Sequence, residues 1–274
     1  MTPDMGQLVM LALPAVFMLT RITGLFIYSP VLSSPMIPVQ VKVMLALALT
    51  AACSAMTPAT LSGFAGVEAN LLSVAPIIVS ELAVGLTIGF LATLPLMGME
   101  VGGTLVGQQV GFQMAHTINP ATEEDSDAVG QLMFYLGLTG FVLMGGMEGM
   151  TLAVAKSFEA VPIGGFVMGR GALSVLLGAV GSAFELGIRV AAPVLCMVFL
   201  ETLAVGIMNK VAPTMNVMTF GFIVRVLVGL SVLAATVSLV REASLETIEE
   251  AMRAIPRLIE GGAKPAEEAG GAHG

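Results

Sequence analysis

The sequence predicts an all-α membrane protein of about six apolar helices and one glycine-rich, broken segment. Three observations carry that prediction. The 274 residues are 56% hydrophobic and only 11% charged, with a mean hydropathy of +0.95, values typical of polytopic membrane proteins. Between Lys42 and Lys156 there is no Lys or Arg, while Glu68, Glu81, Glu100, Glu123, Glu124, Asp125, Asp127 and Glu148 fall in that interval. A soluble domain keeps both signs of charge on its surface, whereas membrane proteins collect Lys and Arg at cytoplasmic ends. The 32 Gly and 20 Met residues suit close helix packing in lipid and soft, adaptable contact surface.

The apolar segments run over residues 8–28, 43–56, 71–97, 130–155, 173–207 and 215–240. A helix needs about 20 apolar residues to cross a bilayer, so the second is short and the fifth is long enough to break or to leave the hydrocarbon. Residues 98–115 carry Gly98, Gly102, Gly103, Gly107 and Gly111. This stretch is weak as a lipid-facing helix, and irregular backbone at membrane depth needs protein or a watery cavity around it. If it crosses, the N-terminus lies outside and most loop bases lie inside, which the positive-inside rule favours mildly. A polar loop, residues 116–127, follows.

Asp4 stands where a cleavable signal would carry basic residues, so none is expected. Residues 241–259 read as an amphipathic helix: Leu245, Ile248, Met252, Ile255 and Ile259 recur at helical spacing, and Pro256 is expected to bend or end it. Gly, Ala, Pro and Glu dominate residues 261–274, predicting a disordered tail. Residues 1–260 are expected to form a single polytopic domain.

Arg21, Glu81, Glu100, Glu148, Glu185, Arg189, Glu201 and Arg225 lie within or beside apolar runs. Facing lipid, each would cost roughly 2.5–3.5 kcal/mol on insertion scales, so each must face protein, water or an opposite charge. Glu185 and Arg189 stand in the favourable i,i+4 order. Glu81, Gly85 and Gly89 share one helical stripe, as do Glu100, Gly103 and Gly107. A carboxylate beside small residues suits a tight helix contact, and also a proton relay.

The two cysteines, Cys53 and Cys196, lie in apolar runs without paired Cys/His spacing, so neither a disulfide framework nor a metal site is expected. The only histidines are His116 and His273. No nucleophile elbow, zinc-protease helix or phosphate loop occurs, no Asp lies inside a span, and nothing basic or aromatic is arranged for nucleic acid. The chain is therefore expected to be no enzyme and to need no cofactor.

Several motifs occur in an order that resembles the FliR family of flagellar export proteins, whose virulence-secretion counterparts form the SctT family. They begin with Arg21-Ile-Thr-Gly24 through Ser29-Pro30, then Pro35, Pro38, Lys42 and Leu45-Ala-Leu-Ala-Leu. Next come Glu81-x-x-x-Gly85-x-x-x-Gly89, and Gly107-Gln108-Gln109-Val-Gly111-Phe112 leading to Asn119-Pro120. Val161-Pro162-Ile-Gly164-Gly165, Gly206-Ile-Met-Asn209-Lys210-Val-Ala212-Pro213 and Gly221-Phe222 complete the series. The resemblance covers residues 8–260. Two positions depart from it: Asn119 stands where the family often has Asp, and Ile223 where it often has Pro.

The resemblance implies bent helical hairpins packed in a helical hetero-oligomer with FliP-like and FliQ-like subunits. The chain would join a FliP-like part to a FliQ-like part near residue 172. It would form the type III export gate for unfolded secreted proteins in the bacterial inner membrane, at the flagellar basal body, beside FlhB-like and FlhA-like components. The loop holding Gln108, Gln109, Gly111, Phe112, Gln113, Met114, His116 and Asn119 would plug the pore. Pro30, Pro162, Gly164, Asn209 and Pro213 would shape turns, and Arg21 would satisfy carbonyls or a carboxylate across a subunit contact. The contrasting reading is a self-contained secondary transporter or proton channel, for which broken helices and buried carboxylates also serve.

Overall fold

The computed structural model describes residues 5–56, 71–112, 127–211 and 217–263. Seven helices occur among them. They are α1 (Met5–Tyr28), α2 (Val39–Met56), α3 (Leu71–Val110), α4 (Ala128–Leu143), α5 (Gly146–Ala160), α6 (Arg170–Val211) and α7 (Val217–Gly262). No strand accompanies them among the described residues; one isolated bridge joins Phe166 to Ala263. The all-α membrane fold expected from composition is what forms.

The spans differ from the sequence reading in three ways. First, α3 runs unbroken for 40 residues, about 60 Å at ~1.5 Å per residue. The Gly98–Val110 stretch is therefore neither a broken segment nor a separate crossing. Second, the apolar run expected at 130–155 is two helices bent by 64° around Met144 and Gly145. Gly145 has φ 74°. Third, the amphipathic segment from Arg241 is the continuation of α7, whose 46 residues pass Pro256 and reach Gly262. Gly261 and Gly262, assigned to the tail, thus belong to that helix; residues 264–274 lie outside the described set. The stripe itself is as expected, with Ile248, Ile255 and Ile259 buried. The described spans of α3, α6 and α7, 37, 42 and 44 residues long, exceed the ~20 residues that cross a bilayer.

Contacts divide the chain into two compact units, to both of which α3, α6 and α7 contribute. Unit 1 comprises residues 1–93, 145–179 and 250–274. Its buried residues include Phe17, Met18, Ile22 and Leu25 of α1, Val84, Ile88 and Leu91 of α3, Met150, Val154 and Phe158 of α5, and Ile255 and Leu258 of α7. The backbone of Val167 donates to the Gly262 carbonyl at 2.9 Å, fixing the end of α7. Unit 2 comprises residues 94–144 and 180–249. Its core gathers Met99, Val106 and Val110 of α3, Val129 and Met133 of α4, Leu186, Val190, Val194 and Val198 of α6, and Leu233 and Val240 of α7.

Candidate functional site

The most constrained chemistry in unit 1 is a buried ion pair. Helix α1 presents Arg21 and α3 presents Glu81, both side chains fully buried. Arg21 Nε donates to Glu81 Oε2 at 2.7 Å and Nη2 to Oε1 at 3.1 Å, the bidentate geometry that suits guanidinium and carboxylate. Nη1 donates to Ser157 Oγ at 3.0 Å and Nη2 also to the Val161 carbonyl at 3.2 Å. The guanidinium carbon lies 4.3 Å from the Phe158 ring centroid, within cation–π range. Glu81 Oε1 also accepts the Gly164 backbone N–H at 2.9 Å.

One pair thus ties α1, α3, the end of α5 and the turn after it. That turn closes with Gly165 N–H on the Pro162 carbonyl at 2.9 Å. Gly164 has φ 76°, a conformation nearly free for Gly and costly for other residues. Arg21 therefore finds its carboxylate and carbonyl inside its own chain, not across a subunit contact.

The Glu81–Gly85–Gly89 stripe packs on α1. A Cβ on Gly85 would collide with the Arg21 carbonyl oxygen, and one on Gly89 would lie 2.8 Å from the Leu25 carbonyl oxygen. From the other side, a Cβ on Gly24 would lie 2.7 Å from the Leu82 carbonyl oxygen. Thr93 Oγ1 donates to the Tyr28 carbonyl at the end of this seam. Pro30 is buried in the turn that follows α1.

Unit 2 holds the corresponding seams around the glycine-rich half of α3. An added Cβ at Gly102 would lie 2.7 Å from the Gly187 carbonyl oxygen, and one at Gly187 would lie 2.9 Å from that of Gly98. On another face, a Cβ at Gly103 would meet the Val129 carbonyl oxygen at 2.7 Å. The segment stays helical because its glycines let α4 and α6 approach to backbone contact, which offsets its poor intrinsic propensity. Glu100 is half-buried one turn before Thr104.

Of the residues expected to plug a pore, Gln108 and Gln109 are exposed in the last turn of α3, and Gly111, with φ 98°, ends the helix. Phe112 packs partly buried against the unit 2 core. Gln113, Met114, His116 and Asn119 lie outside the described residues. The helices on either side of that segment are tied to each other. Thr104 Oγ1 donates to Asp127 Oδ2, while Asp127 Oδ1 accepts the Gly130 N–H at 3.0 Å and so caps α4.

The remaining charges sit on α6 and α7. Arg189 Nη2 meets Glu185 Oε1 at 2.7 Å, with Glu246 Oε2 3.8 Å from Nη1, all well exposed. Glu201 Oε2 accepts from Arg225 Nε at 3.2 Å. Asn209, expected in a turn, is exposed in the last turn of α6; Pro213 lies outside the described residues. Pro162 is exposed beside Val161, and Glu148 stands in the first turn of α5.

Sequence reasoning did not single out Ser157, Phe158, Thr104 or Gly187. Asp127 carried a usable signal, as an N-cap residue type just before an apolar helix. Among the described residues no cluster of His, Cys, Asp and Glu could hold a metal ion.

Comparison with known proteins adds the lineage. Residues 12–251 match the model of a family described as bacterial export proteins, family 1. The chain belongs to that family. A member similar to it is the flagellar biosynthetic protein FliR of Escherichia coli (strain K12), 27% identical over 222 residues, which are 81% of this chain and 83% of that protein. The FliR of Aquifex aeolicus is 26% identical over 223 residues, 80% and 83% of the two chains. The Yop proteins translocation protein T of Yersinia pestis is 26% identical over 153 residues, 55% of this chain and 59% of that protein. The family match includes the Arg21–Glu81 pair, the glycine seams and the Glu201–Arg225 pair, but not the last turns of α7.

Proposed function

We propose that this bacterial export protein is a core subunit of a type III protein export gate in the bacterial inner membrane, at the flagellar basal body. It would assemble with FliP-like and FliQ-like subunits, beside FlhB-like and FlhA-like components, into the channel for unfolded flagellar substrates. The match of residues 12–251 to the family carries this reading. In it, residues up to about 172 form the FliP-like part and the remainder the FliQ-like part. The loop from Gln108 to Asn119 plugs the resting pore. Apolar Phe112 and Met114 hinder water by dewetting, and the tie between Thr104 and Asp127 joins α3 to the start of α4, the helices between which the plug runs.

A self-contained transporter would need an accessible carboxylate to relay protons. Of the two carboxylates the sequence offered for this, Glu81 and Glu100, the first is fully buried on Arg21, which favours the gate. The test is co-expression with FliP-like and FliQ-like proteins of the same genome, followed by native mass spectrometry. A complex holding this chain with several copies of each partner is expected; a stable particle of this chain alone, retaining neither partner, overturns the reading. Deleting residues 111–115 in cells with the full gate should raise ion leak, and unchanged leak and export refute the plug.

A further inference from the structure

We propose that the groove between α1 and α2 holds one acyl chain of an anionic phospholipid, with the lipid phosphate on Lys42. This goes beyond the export-gate reading and does not depend on it. The two helices follow one another within unit 1 and leave a cavity of about 390 Å³ between them, within the range of small-molecule sites. Leu19, Phe26 and Ile27 of α1 and Val43, Ala46 and Leu47 of α2 line it. Phe26 and Ala46 are buried and close its floor, while Ile27, Val43 and Leu47 are exposed along its rim. Thr23 also faces the groove, but its hydroxyl donates to the Leu19 carbonyl at 2.7 Å, so the walls require no polar partner. From Leu19 to Ile27 is eight residues, about 12 Å along a helix. That is close to the depth of one leaflet, about half of a ~30 Å hydrocarbon core.

One end of this apolar groove carries a charge. Lys42 and Ser33 line it beside the turn that joins the two helices. Lys42 is half-buried, and its Nζ donates to the Ser33 carbonyl at 3.3 Å. No carboxylate lies within ion-pair distance of it among the described residues. An ammonium has three donors, so donors remain for a ligand. The turn is irregular, with Ser33, Pro35 and Met36 exposed, and exposed irregular backbone does not occur within hydrocarbon. A lysine beside it holds its ammonium at the interface and its stem along apolar surface. The charged end of the groove therefore meets lipid headgroups, and its apolar length runs from them among the acyl chains.

The ligand must bring an anion to Lys42 and a flexible apolar chain behind it. An anionic phospholipid has both in one molecule, and basic pockets between membrane helices recognise such headgroups. A zwitterionic lipid carries its own cation, which opposes Lys42. A carboxylate on a neighbouring helix would answer the charge, but a helix about 10 Å across is too wide for this cavity and would leave its length empty.

The test reconstitutes the full chain, with whatever partners co-purify, into phosphatidylcholine vesicles containing phosphatidylglycerol that bears a diazirine in mid-chain. Irradiation should attach the lipid at the groove, mapped by mass spectrometry to Leu19, Thr23, Val43 or Leu47. Lys42→Gln should lower that label about five-fold, the worth of one lysine near anionic lipid, and Lys42→Arg should retain it. Phosphatidylcholine with the same diazirine chain should label the groove about five-fold less than phosphatidylglycerol. Val43→Trp fills the groove from an exposed position and should abolish the label. Buried Cys53 of α2, in a Cys196→Ser background, should stay shielded from a thiol dye in each variant, showing the hairpin intact. Equal labelling by the two lipids in the parent, a label unchanged by Lys42→Gln, or labelling only outside the groove overturns the proposal. An unlabelled groove with partners retained means that a partner covers it, which overturns the lipid site and leaves the gate reading standing. A chain that takes the label yet retains no partner overturns the gate reading alone.

Discussion

Removing both members of the Arg21–Glu81 pair should cost about as much as removing either one. Arg21→Met leaves a fully buried carboxylate with one N–H donor from Gly164. Glu81→Gln leaves a buried guanidinium and turns an amide NH2 toward Arg21 Nε, where an acceptor now sits at 2.7 Å. Breaking a buried pair on one side costs about 3–5 kcal/mol.

The double variant Arg21→Met with Glu81→Met removes both charges. It leaves the Gly164 N–H and the Val161 carbonyl each without its side-chain partner, at about 1–3 kcal/mol apiece and about 2–6 kcal/mol together. Ser157 keeps its own donor bond to the Val154 carbonyl at 2.6 Å. At the middle of these ranges the two singles sum to about 8 and the double to about 4 kcal/mol, so the cycle should show a coupling of about 4 kcal/mol. With no Trp in the chain, unfolding is best followed by a thiol-reactive dye. The buried Cys53 is the reporter, in a background where the exposed Cys196 is Ser. The single variants and the double variant should all unfold about 10 °C below the parent. Singles within about 1 °C of the parent, or a double as low as the sum of both, refute the reasoning.

Gly85→Ala should lower the abundance of assembled chain several-fold, because the new Cβ meets the Arg21 backbone. Gly181→Ala, with nothing within 4 Å of its Cβ, should be neutral or gain about 0.5–1 kcal/mol from helix propensity; immunoblots of membranes compare them. Asp127→Ala removes the α4 cap and the tie to Thr104. It should cost about 1 kcal/mol and raise ion leak through the assembled gate, while Asp127→Asn keeps the cap and most of the seal. Glu246→Ala, at an exposed pair 3.8 Å long, should shift stability by less than about 0.5 kcal/mol; a larger loss in the dye assay would mean that a partner shields it.

What sequence could reveal depended on how far the interaction reached along the chain. Glu185 and Arg189 were legible as a pair because i,i+4 neighbours meet on any helix. Arg21 and Glu81 were each conspicuous as charges in apolar runs. Their pairing was not, since 60 residues separate them and periodicity speaks only of one helix's own face. The sequence instead suggested a subunit contact for Arg21, because no local partner was in view. The bend at Met144 and Gly145 was missed for the opposite reason. Hydropathy runs smoothly through it, although adjacent glycines stood at the break.

The glycine-rich half of α3 turns the usual reading of composition around. Counted by propensity alone, five glycines between residues 98 and 111 argue against a helix, each at about 0.8–1 kcal/mol against Ala. Yet Gly98, Gly102 and Gly103 sit where α4 or α6 backbone leaves no room for a methyl group. Their cost is offset only while those neighbours are in place. The helix is therefore a product of its packing, and it ends at Gly111, where φ is positive and the next residues belong to the proposed plug. An element whose helicity depends on its neighbours can end wherever those neighbours stop, which suits a stalk carrying the proposed plug.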